Sequence, residues 1–89
     1  MANTALAHRL ARARFRAWHR GTREADYLMG GFFDRYHGEW DDSGLAWFET
    51  LLNEDDADIL AWVMGGAAVP ERFAGAQSEA MRKLDYVKV

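Results

Sequence analysis

Apolar residues recur every three or four positions along most of this chain, and no segment shows a sustained alternation of apolar and polar residues. The first spacing places side chains on one face of an α-helix, whereas a half-buried β-strand requires the second. Because the connections between these amphipathic segments are short, we expect an all-α fold, a compact bundle of five short helices in one domain spanning residues 1–89. Periodicity and end signals predict the helices at residues 4–18, 22–37, 42–53, 56–64 and 70–83.

The predicted helix ends are marked by residues that cap or interrupt the backbone hydrogen bonds. Thr22, Asp41 and Asp55 are N-cap candidates, because a side-chain oxygen can accept a hydrogen bond from a free amide of the first turn. Glycine commonly follows a helix, so Gly65 is expected to end the fourth one. Pro70 suits the first turn of the fifth helix, since its missing amide hydrogen is not needed there.

The Gly30-Gly31 pair falls in the middle of the second predicted helix. Glycine is unfavourable there because it lacks a Cβ and loses more backbone freedom on folding than other residues. Two explanations fit the pair. Either a neighbouring helix approaches the backbone closely at this point, or the second helix kinks.

The tryptophans divide into two pairs by position. Trp47 and Trp62 fall at helical spacing with other apolar residues, so we expect them in the core. Trp18 and Trp40 lie at the ends of segments, where partial exposure is expected. Exposed aromatic side chains beside arginine are typical of partner-binding surfaces.

Charge is segregated along the chain. Residues 24–89 contain all 14 acids and only five bases, whereas residues 1–23 contain no acid. Such asymmetry indicates a charged partner or an internal electrostatic match between the two parts. The first part carries six arginines, namely Arg9, Arg12, Arg14, Arg16, Arg20 and Arg23.

The residues that usually carry catalysis or bind metals do not form a recognisable pattern. The chain has no cysteine, and Ser43 and Ser78 have no histidine nearby in sequence. The histidines lack the i, i+4 spacing of a helical metal pair, and the acidic run at 54–58 lacks the glycine and distal glutamate of a calcium loop. We therefore expect no catalytic residue and no bound metal, and we interpret the acidic run as helix capping.

No apolar run approaches the roughly 20 residues that a membrane span needs, so membrane insertion is not expected. The N-terminus lacks the apolar core of a secretory signal. An arginine-rich, acid-free start can also be an organelle-import peptide. This segment runs directly into residues 20–24, which depart from ordinary helix design. We therefore expect a bacterial cytoplasmic location in preference to the mitochondrial matrix.

The segment Arg20-Gly21-Thr22-Arg23-Glu24 departs from ordinary helix design. A glycine at a helix junction leaves backbone exposed where another chain could approach closely. Arg20 offers a planar fork for carboxylates or backbone carbonyls, and it shares a face with Glu24 if the helix is continuous. The segment is therefore either a partner-binding surface or a helix junction with an internal ion pair.

Arg20-Gly21-x-x-Glu24 also resembles the RGxxE motif of the succinate dehydrogenase assembly factors. Asp26, Leu28 and residues 30–32 resemble the stretch that follows it in this family. A second block, with Phe48, Leu51-Leu52 and residues 55–62, resembles the family's acidic segment and its tryptophan, although Ala57 stands where many members have proline. The resemblance covers residues 9–64, and residues 65–89 match no motif.

The resemblance implies a five-helix bundle that is not itself an enzyme. It would bind the flavoprotein subunit of succinate dehydrogenase, with the subunit of fumarate reductase as a second candidate, and promote covalent attachment of FAD to a histidine of that subunit. We expect it to bind no cofactor stably and to be a monomer when free. By the resemblance, the partner-binding residues are Arg20, Gly21 and Glu24, with Arg12, Arg23, Asp26 and Asp55 as weaker candidates nearby.

Two alternatives use the basic N-terminal helix instead. The chain could be a nucleic-acid-binding regulator or a partner that neutralises a toxin. The overall net charge of −3 and the lack of a nucleic-acid-binding motif argue against the first. On balance we expect no nucleic-acid partner.

Overall fold

The computed structural model describes residues 2–87, with side chains from residue 4, and within this range it contains helices and no strand. The all-α prediction is confirmed. Two short 3₁₀ turns, His37–Glu39 and Glu71–Phe73, lie between the helices. The α-helices of the described range are α1 (Ala2–Trp18), α2 (Arg23–Tyr36), α3 (Asp42–Leu51), α4 (Asp56–Met64) and α5 (Ala76–Arg82).

Most of the predicted helix ends are confirmed. Thr22 Oγ1 accepts a hydrogen bond from the Ala25 amide, 3.2 Å away, at the start of α2. Asp41 caps α3 in the same way, with Oδ1 2.8 Å from the Gly44 amide nitrogen. Asp55 occupies the N-cap position of α4, but its carboxylate makes no capping hydrogen bond.

The predicted fifth helix, residues 70–83, was wrong in its first half. Residues 71–73 form a 3₁₀ turn, Ala74 is extended, and α5 begins only at Ala76. Gly75 separates the two pieces with a φ of +140°, a conformation that side-chain-bearing residues rarely adopt. Ser78 then stabilises the start of α5, since its Oγ accepts from the Gly75 amide at 3.1 Å. Ala76, the first residue of α5, is exposed.

The core is built around α2. Phe32, Phe33 and Phe48 are almost fully buried, and the ring centroids of Phe33 and Phe48 lie 5.6 Å apart. Trp47 and Trp62 are partly buried and pack against Phe73 at the far side of this core. Trp40, also partly buried, packs against Phe48 with the two rings tilted and their centroids 5.1 Å apart.

The explanation by a closely approaching helix is confirmed for Gly30, whose neighbour is α1, whereas the neighbour of Gly31 is Tyr86, which follows α5. A β-carbon at Gly30 would lie 2.1 Å from Cδ2 of Trp18, which ends α1, and one at Gly31 would lie 3.2 Å from the Tyr86 carbonyl oxygen. Helix α2 continues without interruption through both glycines. The end of α1 is therefore fixed against the middle of α2.

The segregated charges meet in ion pairs between helices. Arg9 of α1 forms ion pairs with Asp42 at 2.6 Å and with Glu49 at 2.8 Å, and both acids belong to α3. Arg14 pairs with Asp34 of α2 at 3.3 Å. The basic first helix is thus matched electrostatically by the acidic remainder of the chain. None of the helices in the described range is long and apolar enough to span a membrane.

Candidate partner-binding site

The unusual segment forms a short loop between α1 and α2, residues 19–22, which we call the α1–α2 loop. Gly21 adopts a φ of +112°, and its backbone is exposed. A glycine in this conformation ends the helical path of α1, because other residues are strained there. Arg20 and Glu24 therefore do not lie on one continuous helix, and the i, i+4 arrangement that the sequence allowed does not form.

The side chain of Arg20 turns inward and is only 10% exposed. Its Nε donates to Asp56 Oδ1 at 2.7 Å. Its Nη1 donates to the Leu52 carbonyl at 2.7 Å, and its Nη2 donates to the Glu54 carbonyl at 2.8 Å. All three nitrogens of the planar guanidinium thus donate to acceptors between the end of α3 and the start of α4. Arginine can do this because its donors are arranged in a rigid fork.

The backbone of the α1–α2 loop is held from the other side by Asp26. The Arg20 amide donates to the Asp26 carboxylate, and the Asp26 amide donates to the Thr22 carbonyl at 2.9 Å. Since Asp26 lies in the first turn of α2, its charge also faces the positive end of that helix. The loop is thus tied both to α2 and, through Arg20, to α4.

These contacts join the two sequence blocks that carry the family resemblance. Arg20 belongs to the first block, whereas Leu52 and Asp56 belong to the second. The separation of 32 to 36 positions between donor and acceptor hides this relationship from any local sequence rule. One guanidinium makes them a single structural unit.

Gly21, Arg23 and Asp26 lie along one open cleft of about 490 Å³. Arg23 also borders, with Glu24, a second cleft of about 690 Å³ whose walls include Leu60 and Met64. Four of the seven residues predicted for partner binding thus line one surface formed by these two clefts, which share Arg23. The seven predicted residues are Arg20, Gly21, Glu24, Arg12, Arg23, Asp26 and Asp55.

Two predicted residues lie away from the centre of this surface. Asp55 is exposed and borders a third cleft of about 290 Å³, together with His19 and the inward-turned Arg20. Arg12 is exposed in a cleft between α1 and α3, where Glu49 is its acidic neighbour. The structure therefore groups Asp55 with the loop and does not group Arg12 with it.

Sequence reasoning missed three exposed apolar side chains around the loop. Phe15 is 63% exposed and stacks on His19 with a ring-centroid distance of 4.0 Å. Tyr27 and Met64, which line the second cleft, are 39% and 63% exposed. A usable signal was present for Phe15 and Tyr27, because both fall off the apolar stripes of their helices.

Within the described residues, no group of three or more histidine, aspartate or glutamate side chains could hold a metal ion. Of the ionisable groups around the α1–α2 loop, Arg20 and Asp26 are engaged in hydrogen bonds within the chain. The arrangement presents a shaped, charged surface with an exposed glycine backbone.

Comparison with protein families gives a match to the Sdh5 family, described as flavinator of succinate dehydrogenase, over residues 11–87. The chain belongs to this family. The matched range includes the α1–α2 loop and the contacts of Arg20, and it extends past residue 64, where the sequence motifs ended.

Relatives in the flavinator family come from bacteria and from fungal mitochondria. The chain is 38% identical over 69 residues to the FAD assembly factor SdhE of Acetobacter pasteurianus, covering 78% of this chain and 63% of the relative. It is 34% identical over 68 residues to the mitochondrial succinate dehydrogenase assembly factor 2 of Schizosaccharomyces pombe, covering 76% and 49%. The corresponding protein of Saccharomyces cerevisiae is 30% identical over 78 residues, covering 84% and 48%.

The chain thus spans between about half and just under two thirds of the length of these relatives. No solved structure matches it significantly. Family membership rests on the sequence comparisons, and the fold described above shows how the family's sequence blocks come together in space.

Proposed function

We propose that this chain is an assembly factor that binds the flavoprotein subunit of succinate dehydrogenase and promotes covalent attachment of FAD to it. The observation that carries the proposal is the match to the flavinator family over residues 11–87. The names of the relatives, FAD assembly factor and succinate dehydrogenase assembly factor, support the same role.

The chain acts in this proposal without catalytic groups of its own. Binding favours one arrangement of the flavoprotein, and that arrangement brings its own histidine and the FAD into reacting geometry. A binder can raise the rate in this way only to the extent that it prefers the reactive arrangement. The histidines of this chain have no role in the bond that forms, and FAD is a substrate of the partner, not a cofactor held stably here.

The α1–α2 loop is the proposed centre of the interface. Gly21 presents exposed backbone with no side chain, so a partner surface can approach it closely. Arg23 and Glu24 are exposed beside it with opposite charges, which favours a partner surface of mixed charge. Arg20, Asp26 and Asp55 complete the proposed site around the loop, and Arg12 lies at its margin.

The basic N-terminal helix offers little support for a nucleic-acid-binding or toxin-neutralising function. Its arginines are largely used inside the fold: Arg9 and Arg14 form ion pairs, and Arg16 donates to Asn53 Oδ1 at 2.9 Å. Nucleic-acid binding requires cations that are free to neutralise phosphates. We therefore retain the assembly-factor function alone.

Deletion of the gene tests the proposal. Covalently bound flavin in the succinate dehydrogenase flavoprotein, measured as fluorescence of the denatured subunit, is expected to fall in the deletion strain and to return on complementation. The abundance of the subunit is measured in parallel, so that loss of protein is not mistaken for loss of flavin. Unchanged covalent flavin at unchanged abundance contradicts the proposal.

Purified components test the partner and the finer claims. The apo-flavoprotein with FAD should gain covalent flavin faster when this chain is added, and the chain should be a monomer before mixing. The same assay with the fumarate reductase flavoprotein decides whether that subunit is a second partner. Fractionation of the source cells tests the proposed bacterial cytoplasmic location.

A further inference from the structure

The α1–α2 loop is connected to the rest of the fold by a side chain from its own centre. Arg20 spans from the loop to Asp56, the first residue of α4, and to the carbonyls of Leu52 and Glu54. Loop glycines such as Gly21 increase backbone freedom, so the loop needs external restraints to hold one conformation. The Arg20 side chain is one such restraint.

Asp56 supplies the negative charge that balances the positive charge of the Arg20 guanidinium. Its carboxylate is the only one within the described residues that accepts a hydrogen bond from the Arg20 side chain, over 2.7 Å. The Asp56 side chain is 27% exposed, so the pair is partly shielded from water. Charge-assisted hydrogen bonds are shorter and stronger than neutral ones, and partial shielding reduces screening by salt.

The two carbonyl acceptors alone leave the guanidinium charge uncompensated. Removing one member of a shielded ion pair is unfavourable because the remaining charge loses its partner. Without Asp56, the Arg20 side chain gains by turning towards water, and the loop backbone attached to it then moves as well. The amide of Arg20 remains linked to Asp26, so the change is confined to this loop.

We propose that Asp56 is a positioning residue, which acts through Arg20 to hold the α1–α2 loop in the conformation that binds the flavoprotein. This inference rests on the proposed function. Arg20 then serves as an internal strut, and the partner meets Gly21, Arg23 and Glu24. A loop that adopts the binding conformation only part of the time weakens apparent affinity in proportion to that fraction.

The structural half of the inference is tested on the free protein by amide hydrogen exchange. In Asp56→Ala, exchange at the Ala25 and Asp26 amides, which donate to Thr22 of the loop, is expected to be roughly tenfold faster, while exchange in the α2 core at residues 28–33 is unchanged. Asp58→Ala is the matched control, since Asp58 is an exposed acid of the same helical turn with no hydrogen bond to another side chain in the described range. Asp56→Asn, which retains the oxygen acceptor without the charge, should lie between wild type and Asp56→Ala.

The functional half uses the flavin-attachment assay over a range of concentrations of this chain. Asp56→Ala should raise the half-saturating concentration roughly tenfold and recover the wild-type rate at saturation, because only the competent fraction has fallen. Arg20→Ala should have a smaller effect in the Asp56→Ala background than alone, as expected for residues that act as one unit. Equal effects in both backgrounds mean that Arg20 contacts the partner directly.

The outcomes separate the two proposals. If amide exchange of the loop contacts is unchanged in Asp56→Ala, the strut role of Arg20 is overturned. If that exchange is faster but the half-saturating concentration is unchanged, the strut does not matter for binding the flavoprotein. If Asp56→Ala also loses protection in the α2 core, Asp56→Asn becomes the deciding variant. If wild type itself fails to promote flavin attachment, the proposed function fails, while the exchange result still judges the strut.

Discussion

The indole of Trp18 lies directly against the α-carbon side of Gly30, so that a β-carbon at residue 30 would fall 2.1 Å from Cδ2 and 2.3 Å from Cε2 of the ring. Trp18 Nε1 also donates to Asp34 Oδ2 at 3.3 Å, one helical turn further along α2. Trp18 is the last residue of α1. This packing therefore fixes the point at which the α1–α2 loop begins.

Replacement of Gly30 by alanine should destabilise the fold. The alanine gains about 1 kcal/mol of helix propensity, but the added methyl group forces the indole to move and overpacks the interface, which costs about 3 kcal/mol. We expect a net loss of about 2 kcal/mol in the free energy of unfolding, measured by urea denaturation. Gly38→Ala is the control, because nothing lies within 4 Å of a β-carbon there and its φ is not positive. Equal urea midpoints for the two variants would show that Trp18 does not pack tightly on α2.

Gly21→Arg should abolish flavin attachment while helical content, measured by circular dichroism, stays largely intact. Nothing lies within 4 Å of a β-carbon at this position, so the first atom of a new side chain meets open space. The backbone, with φ at +112°, is strained by any side chain at a cost of about 1–3 kcal/mol. Gly21→Ala carries the same backbone strain without the bulk and should retain part of the activity. A Gly21→Arg chain that unfolds would mean that the glycine is required by the fold, and the interface interpretation would be wrong.

Four of the helices could be predicted because their signals are local. Thr22 and Asp41 cap their helices through amides three residues away, within the reach of a sequence rule. The fifth prediction was wrong because Pro70 looks like a helix start, while the break at Gly75 depends on a backbone conformation that composition does not specify. The helix boundary therefore moved to Ala76.

The loop could be singled out from the sequence, whereas the direction of its arginine could not. In a continuous helix, the nearest acid to Arg20 at helical spacing is Glu24. Gly21 breaks the helix, and the acid that Arg20 meets is Asp56, 36 positions away. A tertiary contact of this kind follows from the packing of α4 beside the loop, which no local pattern encodes.

Arg9 should stabilise the fold in a salt-dependent way. Its guanidinium bridges Asp42 and Glu49. The hydrogen bonds to Glu49, and to a smaller extent those to Asp42, raise the pKa of Arg9, so this side chain stays charged at all working pH values. The Asp42 side chain is 82% exposed, so water and ions weaken the pair. Arg9→Ala should lower the urea midpoint slightly at low salt, and the difference should shrink near about 1 M NaCl, where the Debye length is only about 3 Å. Arg12→Ala removes the same charge from the same helix at an exposed position, so a loss of equal size there would argue against a specific bridge.

Tyr86 should make the fold sensitive to alkali. Burial, followed by the nearby charge of Asp85, raises the pKa of its hydroxyl above the ordinary value of 10.0. The folded state therefore holds this proton more tightly than the unfolded chain does, and the stability linked to it is complete below pH 10 and is lost as the pH rises above that value.

The Tyr86 hydroxyl also donates to the Met81 carbonyl at 2.7 Å, so Tyr86→Phe should lose about 1 kcal/mol at neutral pH. Urea denaturation from pH 7 to about pH 11 should show wild type declining more steeply than Tyr86→Phe, so that the two curves converge above the ordinary tyrosine pKa of about 10. Tyr27→Phe, at an exposed position, should decline in parallel with wild type, and parallel curves for Tyr86→Phe as well would contradict the role of the buried hydroxyl.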